Sequence, residues 1–209
     1  TGGVGSGKST ILNILQNDYG AEIILADNIG HEALEKDSST YKLITDHFGT
    51  NILDADANID KAKLAKIIFS NNKEKEFLNS IVHPTAIKRI KEIIDTWKQD
   101  VQNGKINQQS SSENKTLNMG NHPMLILESA LMFETACDRL CDEIWGIICD
   151  TETRIKRLME TRDYTKEHAL SIINTQLSDE EIIEKCDHII YNNGTIEDIK
   201  HEIELLLHQ

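Results

Sequence analysis

The chain begins with a glycine-rich segment whose residue types and spacing suit phosphate binding. Residues 2–9, GGVGSGKS, match the pattern GxxxxGK[ST], and the apolar spacing that follows predicts a helix over about 7–17. Glycines let the backbone curl so that successive N–H groups face phosphate oxygens, and the helix N-terminus adds positive charge. Lys8 can then reach the β- and γ-phosphates, while the Ser9 hydroxyl can bind Mg²⁺. The segment predicts a P-loop, which indicates nucleotide binding but not a reaction.

Two carboxylates stand where predicted strands end. Asp27 follows the apolar run 21–26, and Glu128 closes the run 124–128. Ligands of open α/β sheets bind at the carboxyl ends of strands, so Asp27 could accept a proton from an acceptor hydroxyl. It could equally cap a helix beginning at Asn28. Glu128 could hold Mg²⁺ through water or bind the acceptor, or it could be an ordinary strand-end carboxylate.

A locally basic segment extends from Arg154 to His168, although the whole chain carries a formal net charge of −13. Its five Lys or Arg and three Asp or Glu give a local balance of +2. Arginines on one helix suit a lid that closes over transferring phosphates. The alternative is a solvated helix face with pairs such as Lys156/Glu160.

The order of apolar and helical patterns predicts an α/β fold with a parallel sheet covered on both faces. Further strands are expected at 143–149 and 188–191. Helices are expected at 151–160, capped by Asp150, in a segment that ends near residue 176, and at 195–207. Residues 29–97 are mostly helical in pattern, and Pro84 predicts a helix end or kink near His83. The polar stretch 102–122 reads as a mobile surface insertion. Because a P-loop normally follows a strand, we expect the native chain to begin upstream of Thr1 with an apolar run.

Composition excludes several classes of protein. A net charge of −13 argues against non-specific nucleic-acid binding and against an anionic membrane surface. No apolar run approaches the about 18 residues of a membrane span, and no signal-peptide pattern is visible. The four cysteines lack zinc-ribbon or CxxC spacing and are expected to be reduced in a cytoplasmic protein. We expect a monomer or a weak homo-oligomer.

The ordered series of motifs resembles the dephospho-coenzyme A kinase family. The similar stretches cover nearly the whole chain in order: TGGVGSGKST (1–10), LADNIG (25–30), DHFGTNILD (46–54), IVHP (81–84), LESALMFE (127–134), RLMETRD (157–163), NTQ (174–176) and DHIIYNNGT (187–195). Each stretch alone is weakly specific apart from the first. Their order is what makes the resemblance specific.

The resemblance implies a single P-loop kinase domain over 1–209, with a helical substrate lobe at about 28–100 and a short lid at about 154–176. It implies ATP-dependent phosphorylation of the ribose 3′-hydroxyl of dephospho-CoA, giving CoA and ADP. The site residues that we assign on the motif and on this resemblance are the phosphate-binding residues Gly3, Val4, Gly5, Ser6, Gly7, Lys8, Ser9 and Thr10, with Asn193 near the adenine; the base Asp27; the lid arginines Arg157 and Arg162; and His83 and Glu128 at the acceptor.

Three positions depart from the family pattern. Leu25 stands where the family has a first aspartate, which leaves Asp27 as the candidate base. His31 and Ile172 stand where arginines are common. In addition, ESALMFE (128–134) at the strand end replaces the Pro-Leu-Leu form of the family. Two other functions remain open on the sequence: a P-loop kinase acting on another small molecule, such as a nucleoside monophosphate, and a slow NTP-hydrolysing switch.

Overall fold

The computed structural model describes residues 1–106 and 123–208. The chain divides into two compact units, one made of Thr1–Ile23 and Asp100–Gln209 and the other of Ile24–Gln99. Most of the predicted insertion at 102–122 lies outside the described residues.

Four short strands are present in the described residues: β1 (Glu22–Leu25), β2 (Leu125–Glu128), β3 (Trp145–Ile148) and β4 (His188–Tyr191). Strands β3 and β4 are parallel, in a register that pairs Gly146 with Ile189. Strand β1 lies beside β2, and the Glu22 N–H donates to the carbonyl of Met124 at 2.9 Å. All four strands were predicted from their apolar runs.

Thr1 and Gly2 lie against β3 and reach the end of β2. Gly2 forms a parallel bridge with Ile147, and the Ile147 N–H donates to Thr1 O at 2.8 Å. Thr1 Oγ1 donates to Ser129 O at 2.8 Å. The sequence predicted one parallel sheet, whereas the strands of the described residues form two pairs, and the bridge made by Gly2 is to β3 alone.

The described part of the chain contains nine α-helices. They are α1 (Lys8–Tyr19), α2 (Ala26–Glu32), α3 (Tyr41–Phe48), α4 (Lys61–Ser70), α5 (Asn72–Gln102), α6 (Thr151–Arg162), α7 (Lys166–Ile173), α8 (Asp179–Lys185) and α9 (Ile196–Leu207). Helix α6 begins as predicted, since Asp150 caps it by accepting the Thr153 N–H at 2.9 Å. None of the helices in the described residues is both long and apolar enough to cross a membrane.

The core of the first unit packs α1 and α9 against β3 and β4. Its buried members are Ile11, Ile14, Leu15, Ala21, Ile147, Ile190, Ile199 and Ile203. A second cluster joins α6 to α7 through Leu158 and Ala169, and Val4 of the P-loop packs against it. The P-loop therefore rests on apolar packing from helices that are distant from it in sequence.

The second unit is helical and has its own core. Ile44 and Ile52 are fully buried there, with Ile59, Leu64 and Leu78 around them. The predicted helix end near His83 is wrong, because α5 runs through Pro84 from Asn72 to Gln102, 31 residues in all; the kink that we gave as the alternative stays a prediction. A proline removes one hydrogen bond from a helix, and in α5 the packing of Leu78 and Ile90 stabilises the turns on either side.

Candidate active site

The end of the P-loop is shaped by Gly7. Its φ of 91° lies in the left-handed region, and it forms the N-cap of α1, which begins at Lys8. A side chain at Gly7 would overlap the amide of Asn192. Only glycine suits this position, and the N-terminus of α1 that follows it is a natural place for a phosphate to bind.

The carbonyl groups of the loop are held by side chains from remote parts of the chain. Arg157 Nη1 donates to Gly5 O and Ser6 O, both at 3.4 Å, and Asn192 Nδ2 donates to Ser6 O at 2.7 Å. Arg157 Nη2 also donates to Asn192 O at 3.2 Å. Because these donors fix the loop's carbonyls, they also fix the peptide planes to which its N–H groups belong.

Lys8 lies over the start of its own loop. Its Nζ donates to Gly2 O at 2.8 Å and lies 3.7 Å from Glu128 Oε1, with both side chains largely buried. Strand β2 ends at Glu128, so the predicted strand-end carboxylate reaches the lysine of the P-loop. The ion pair places a negative oxygen beside the cation that is expected to contact phosphates.

The three arginines of the basic segment have different environments. Arg157 contacts the P-loop, as above, and Arg162 is exposed at the end of α6. Arg154 does not suit a mobile lid, because it is only 4% exposed and its Nε donates to Val4 O at 3.0 Å. Burial lowers the pKa of the Arg154 guanidinium, and the nearby carboxylate of Asp179 opposes that shift.

The turn after β4 is tied to the P-loop and to α6. Asn193 Oδ1 accepts the Asp150 N–H at 2.9 Å, while the buried Asn192 bonds to Ser6. Sequence reasoning assigned Asn193 and missed Asn192. An asparagine directly after an apolar strand is a signal that could have indicated it, since such side chains commonly bond to neighbouring backbone.

Gln176 is a second contact that the sequence did not reveal. Its Oε1 accepts the Val4 N–H at 2.7 Å, across 172 residues of sequence. Gln176 follows α7, in the stretch that resembles the family, but nothing in its local sequence indicates that it contacts the P-loop.

Asp27 and His83 belong to the helical unit. Asp27 is exposed and is the second residue of α2, whose N-cap is Leu25. The alternative interpretation of Asp27 as the cap of a helix beginning at Asn28 is therefore wrong, because the helix begins two residues earlier. His83 lies inside α5, and partial burial lowers its pKa.

The structure thus gathers part of the predicted site within one unit. The P-loop residues 3–10, Glu128 and Arg157 come together there, while Asp27 and His83 lie in the other unit. Ser9 is exposed in the first turn of α1. Groups of three or more His, Cys, Asp or Glu that could hold a metal do not occur in residues 1–106 or 123–208.

Comparison with known proteins gives consistent matches along the chain. A sequence profile described as dephospho-CoA kinase matches residues 1–105 and 105–198. Dephospho-CoA kinases from Carboxydothermus hydrogenoformans and Fusobacterium nucleatum are each 36% identical to the chain. The matches cover 99% of this chain and 90% of the first relative, and 98% of this chain and 93% of the second.

Two solved structures resemble the fold. The crystal structure of TT1252 from Thermus thermophilus superposes with a TM-score of 0.74 at 21% identity, covering 99% of this chain and 93% of that one. Dephospho-CoA kinase from Campylobacter jejuni gives a TM-score of 0.66 at 25% identity, covering 99% and 92%. The α/β fold class predicted from the sequence is confirmed.

Proposed function

The chain belongs to the dephospho-CoA kinase family, and from this premise we propose how its residues divide the work of phosphoryl transfer. The reaction is the ATP-dependent phosphorylation of dephospho-CoA, a small-molecule substrate, to give CoA and ADP. The acceptor is the ribose 3′-hydroxyl. The observation that supports our assignment best is the P-loop whose carbonyl groups are held by Arg157 and Asn192.

We assign the triphosphate of ATP to residues 3–10. The N–H groups at the start of α1 would bind phosphate oxygens, and Lys8 would exchange Gly2 O and Glu128 for the β- and γ-phosphates. In a low-dielectric site, a cation already held in place stabilises charge that develops during transfer without further reorganisation. Asn193, which lies in the turn bonded to Asp150, would lie near the adenine.

The oxygen donors of this site fit Mg²⁺. The Ser9 hydroxyl and the Glu128 carboxylate are hard ligands, and Mg²⁺ typically takes only one or two protein oxygens beside phosphate and water. We propose that Ser9 binds the ion directly and that Glu128 does so through water. The bound ion would neutralise phosphate charge.

We propose the helical unit Ile24–Gln99 as the acceptor lobe. Asp27 would orient the ribose hydroxyl and take its proton, which suits an exposed carboxylate in the first turn of α2. His83 would contact the acceptor in its neutral form, because burial lowers its pKa. For Glu128, which the sequence left between the acceptor and Mg²⁺, we propose the ion, because its carboxylate lies 3.7 Å from Lys8 Nζ.

We propose that the short lid of about 154–176 closes through its exposed part, because Arg154 at its start is fixed against Val4 O of the P-loop. Arg157 contacts the P-loop, and the exposed Arg162 can move towards the transferring phosphoryl group. Both arginines would spread the charge of the transition state. We also expect a cytoplasmic protein that is a monomer or a weak homo-oligomer, which light scattering would test.

One assay tests the function as a whole. The protein is incubated with Mg-ATP and dephospho-CoA, and the products are identified by mass. CoA and ADP should appear in equal amounts, with no ADP above background when dephospho-CoA is omitted. ADP formation that ignores dephospho-CoA would indicate a hydrolytic switch, and phosphorylation of a nucleoside monophosphate in its place would indicate a different kinase.

A further inference from the structure

Arg154 lies directly against the P-loop, on the side formed by residues 3–5. A side chain at Gly3 would overlap its guanidinium, and a Cβ at Gly5 would lie 2.9 Å from its carbonyl oxygen. Arg154 is 4% exposed, far less than an ordinary arginine of a helix face. The loop and this side chain therefore fit closely, and the absence of side chains at Gly3 and Gly5 is what allows the fit.

The contacts of Arg154 fix one peptide of the loop. Its Nε donates to Val4 O at 3.0 Å, while the N–H of Val4 donates to Gln176 Oε1 at 2.7 Å. Both backbone polar groups of Val4 are thus bound by side chains from 150 or more residues away. Rotation of either flanking peptide would break a partly buried hydrogen bond, and one of these bonds comes from a charged donor.

The charge of Arg154 is anchored by α8. Its Nη1 lies 3.5 Å from Asp179 Oδ1, and Asp179 is the first residue of a helix held by a reciprocal capping box between Ser178 and Glu181. In the described residues, Arg154 Nη2 is buried without a hydrogen-bond partner. The buried guanidinium binds one carboxylate and one carbonyl. These two contacts offset the cost of removing its charge from water, so the side chain has little freedom to reorient.

We propose that Arg154, anchored by Asp179, is a positioning residue for phosphoryl transfer: it holds the Val4 peptide, and through it the P-loop, in the phosphate-binding shape without touching the nucleotide. This inference rests on the proposed assignment of ATP to residues 3–10. It extends the site to α8, a helix that the sequence motifs do not reach. It also distinguishes Arg154, which binds Val4 O, from Arg157, which binds Gly5 O and Ser6 O. Arg162 is proposed to act in the lid.

The test compares Arg154→Lys with Asp179→Asn and with a control, Lys156→Gln, which removes an exposed charge from the same helix. Lysine keeps the charge but cannot bond Val4 O and Asp179 at once. We expect kcat/KM for ATP to fall about ten- to a hundredfold in Arg154→Lys, as for loss of a charged hydrogen bond. The KM for dephospho-CoA should stay within about twofold of wild type, and the control should match wild type in both parameters.

Asp179→Asn keeps the shape of the side chain at a partly exposed site, so it tests the anchor even if the arginine variant folds poorly. It should lower kcat/KM for ATP by about threefold to tenfold. The double variant should fall no further than Arg154→Lys alone, because both changes break the same unit.

Thermal unfolding separates positioning from mere stability. If the variants lower the Tm but leave kcat/KM for ATP unchanged at a temperature where they are folded, Arg154 is only structural and the proposal is wrong. Equal losses for ATP and dephospho-CoA, or additive losses in the double variant, would also overturn it. Wild-type protein is assayed first, because failure to make CoA there would contradict the proposed function and not this inference.

Discussion

The P-loop and the start of α2 both present polar groups next to a strand, but they are built in different ways. The loop's carbonyls are bound by Arg157, Asn192 and Arg154, across 150 to 186 residues of sequence. Asp27 is exposed in the first turn of a seven-residue helix. The P-loop is therefore organised by remote contacts, whereas the proposed base is positioned by its own short helix and is open to solvent. The comparison predicts that changes at the two places affect different steps.

The largest effect is expected for Asp27→Asn. Without the carboxylate, the ribose hydroxyl has no proton acceptor, so kcat should fall about 10²- to 10⁴-fold. Steady-state rates with saturating Mg-ATP and dephospho-CoA measure this. A loss of less than about tenfold would show that Asp27 is not the base.

The next largest effect is expected for Lys8→Ala. Its kcat/KM for ATP should fall about 10²- to 10³-fold, because the cation that stabilises transferring charge is removed. Here the KM for ATP should rise as kcat falls. An ATP affinity equal to that of wild type would contradict the role of the P-loop lysine.

Arg157→Lys tests the hydrogen bonds to the loop carbonyls. Lysine cannot reproduce a guanidinium that reaches Gly5, Ser6 and Asn192 together, so kcat/KM for ATP should drop about ten- to a hundredfold. Lys166→Gln, an exposed change at the start of α7, is the control and should leave the kinetics as they are. If Arg157→Lys matches the control and wild type, the hydrogen bonds of Arg157 to the loop do not contribute to the use of ATP, and the assignment is wrong.

Much of the nucleotide side could be predicted from the sequence because it is encoded locally. The GxxxxGK[ST] pattern gave the loop, Asp150 gave the start of α6, and apolar runs gave all four strands. Two side chains that bind the loop could not be predicted, because Asn192 donates to Ser6 O and Gln176 accepts the Val4 N–H only after the chain folds. The helix end expected near Pro84 is absent for a related reason, since packing along α5 outweighs the local helix-breaking tendency of the proline.

A smaller effect is expected at Glu128, which the structure pairs with Lys8. Glu128→Gln should raise the Mg²⁺ concentration for half-maximal activity about tenfold, as for a residue that acts on a metal through a second layer. A magnesium titration at fixed ATP measures it. A rise in the KM for dephospho-CoA with an unchanged magnesium requirement would indicate that Glu128 binds the acceptor and not the ion.

The smallest effect is expected at His83. Burial lowers its pKa below the ordinary value of 6.5, so the ring is mostly neutral at pH 7 and becomes charged as the pH falls below 6.5. His83→Gln should raise the KM for dephospho-CoA by about threefold, the cost of one neutral hydrogen bond. The wild-type KM should be flat from about pH 7 to 8.5. A KM that rises steadily as the pH passes through 7 would instead indicate a charged histidine.

Calorimetric titration of ATP into wild type, Lys8→Ala and Asp27→Asn tests most directly whether the P-loop unit binds ATP while Asp27 takes the proton. The account predicts that Lys8→Ala weakens ATP binding at least about tenfold, while Asp27→Asn stays within about twofold of wild type. Equal weakening in both variants would contradict the claim that the nucleotide is held by the P-loop unit and the proton is taken by Asp27.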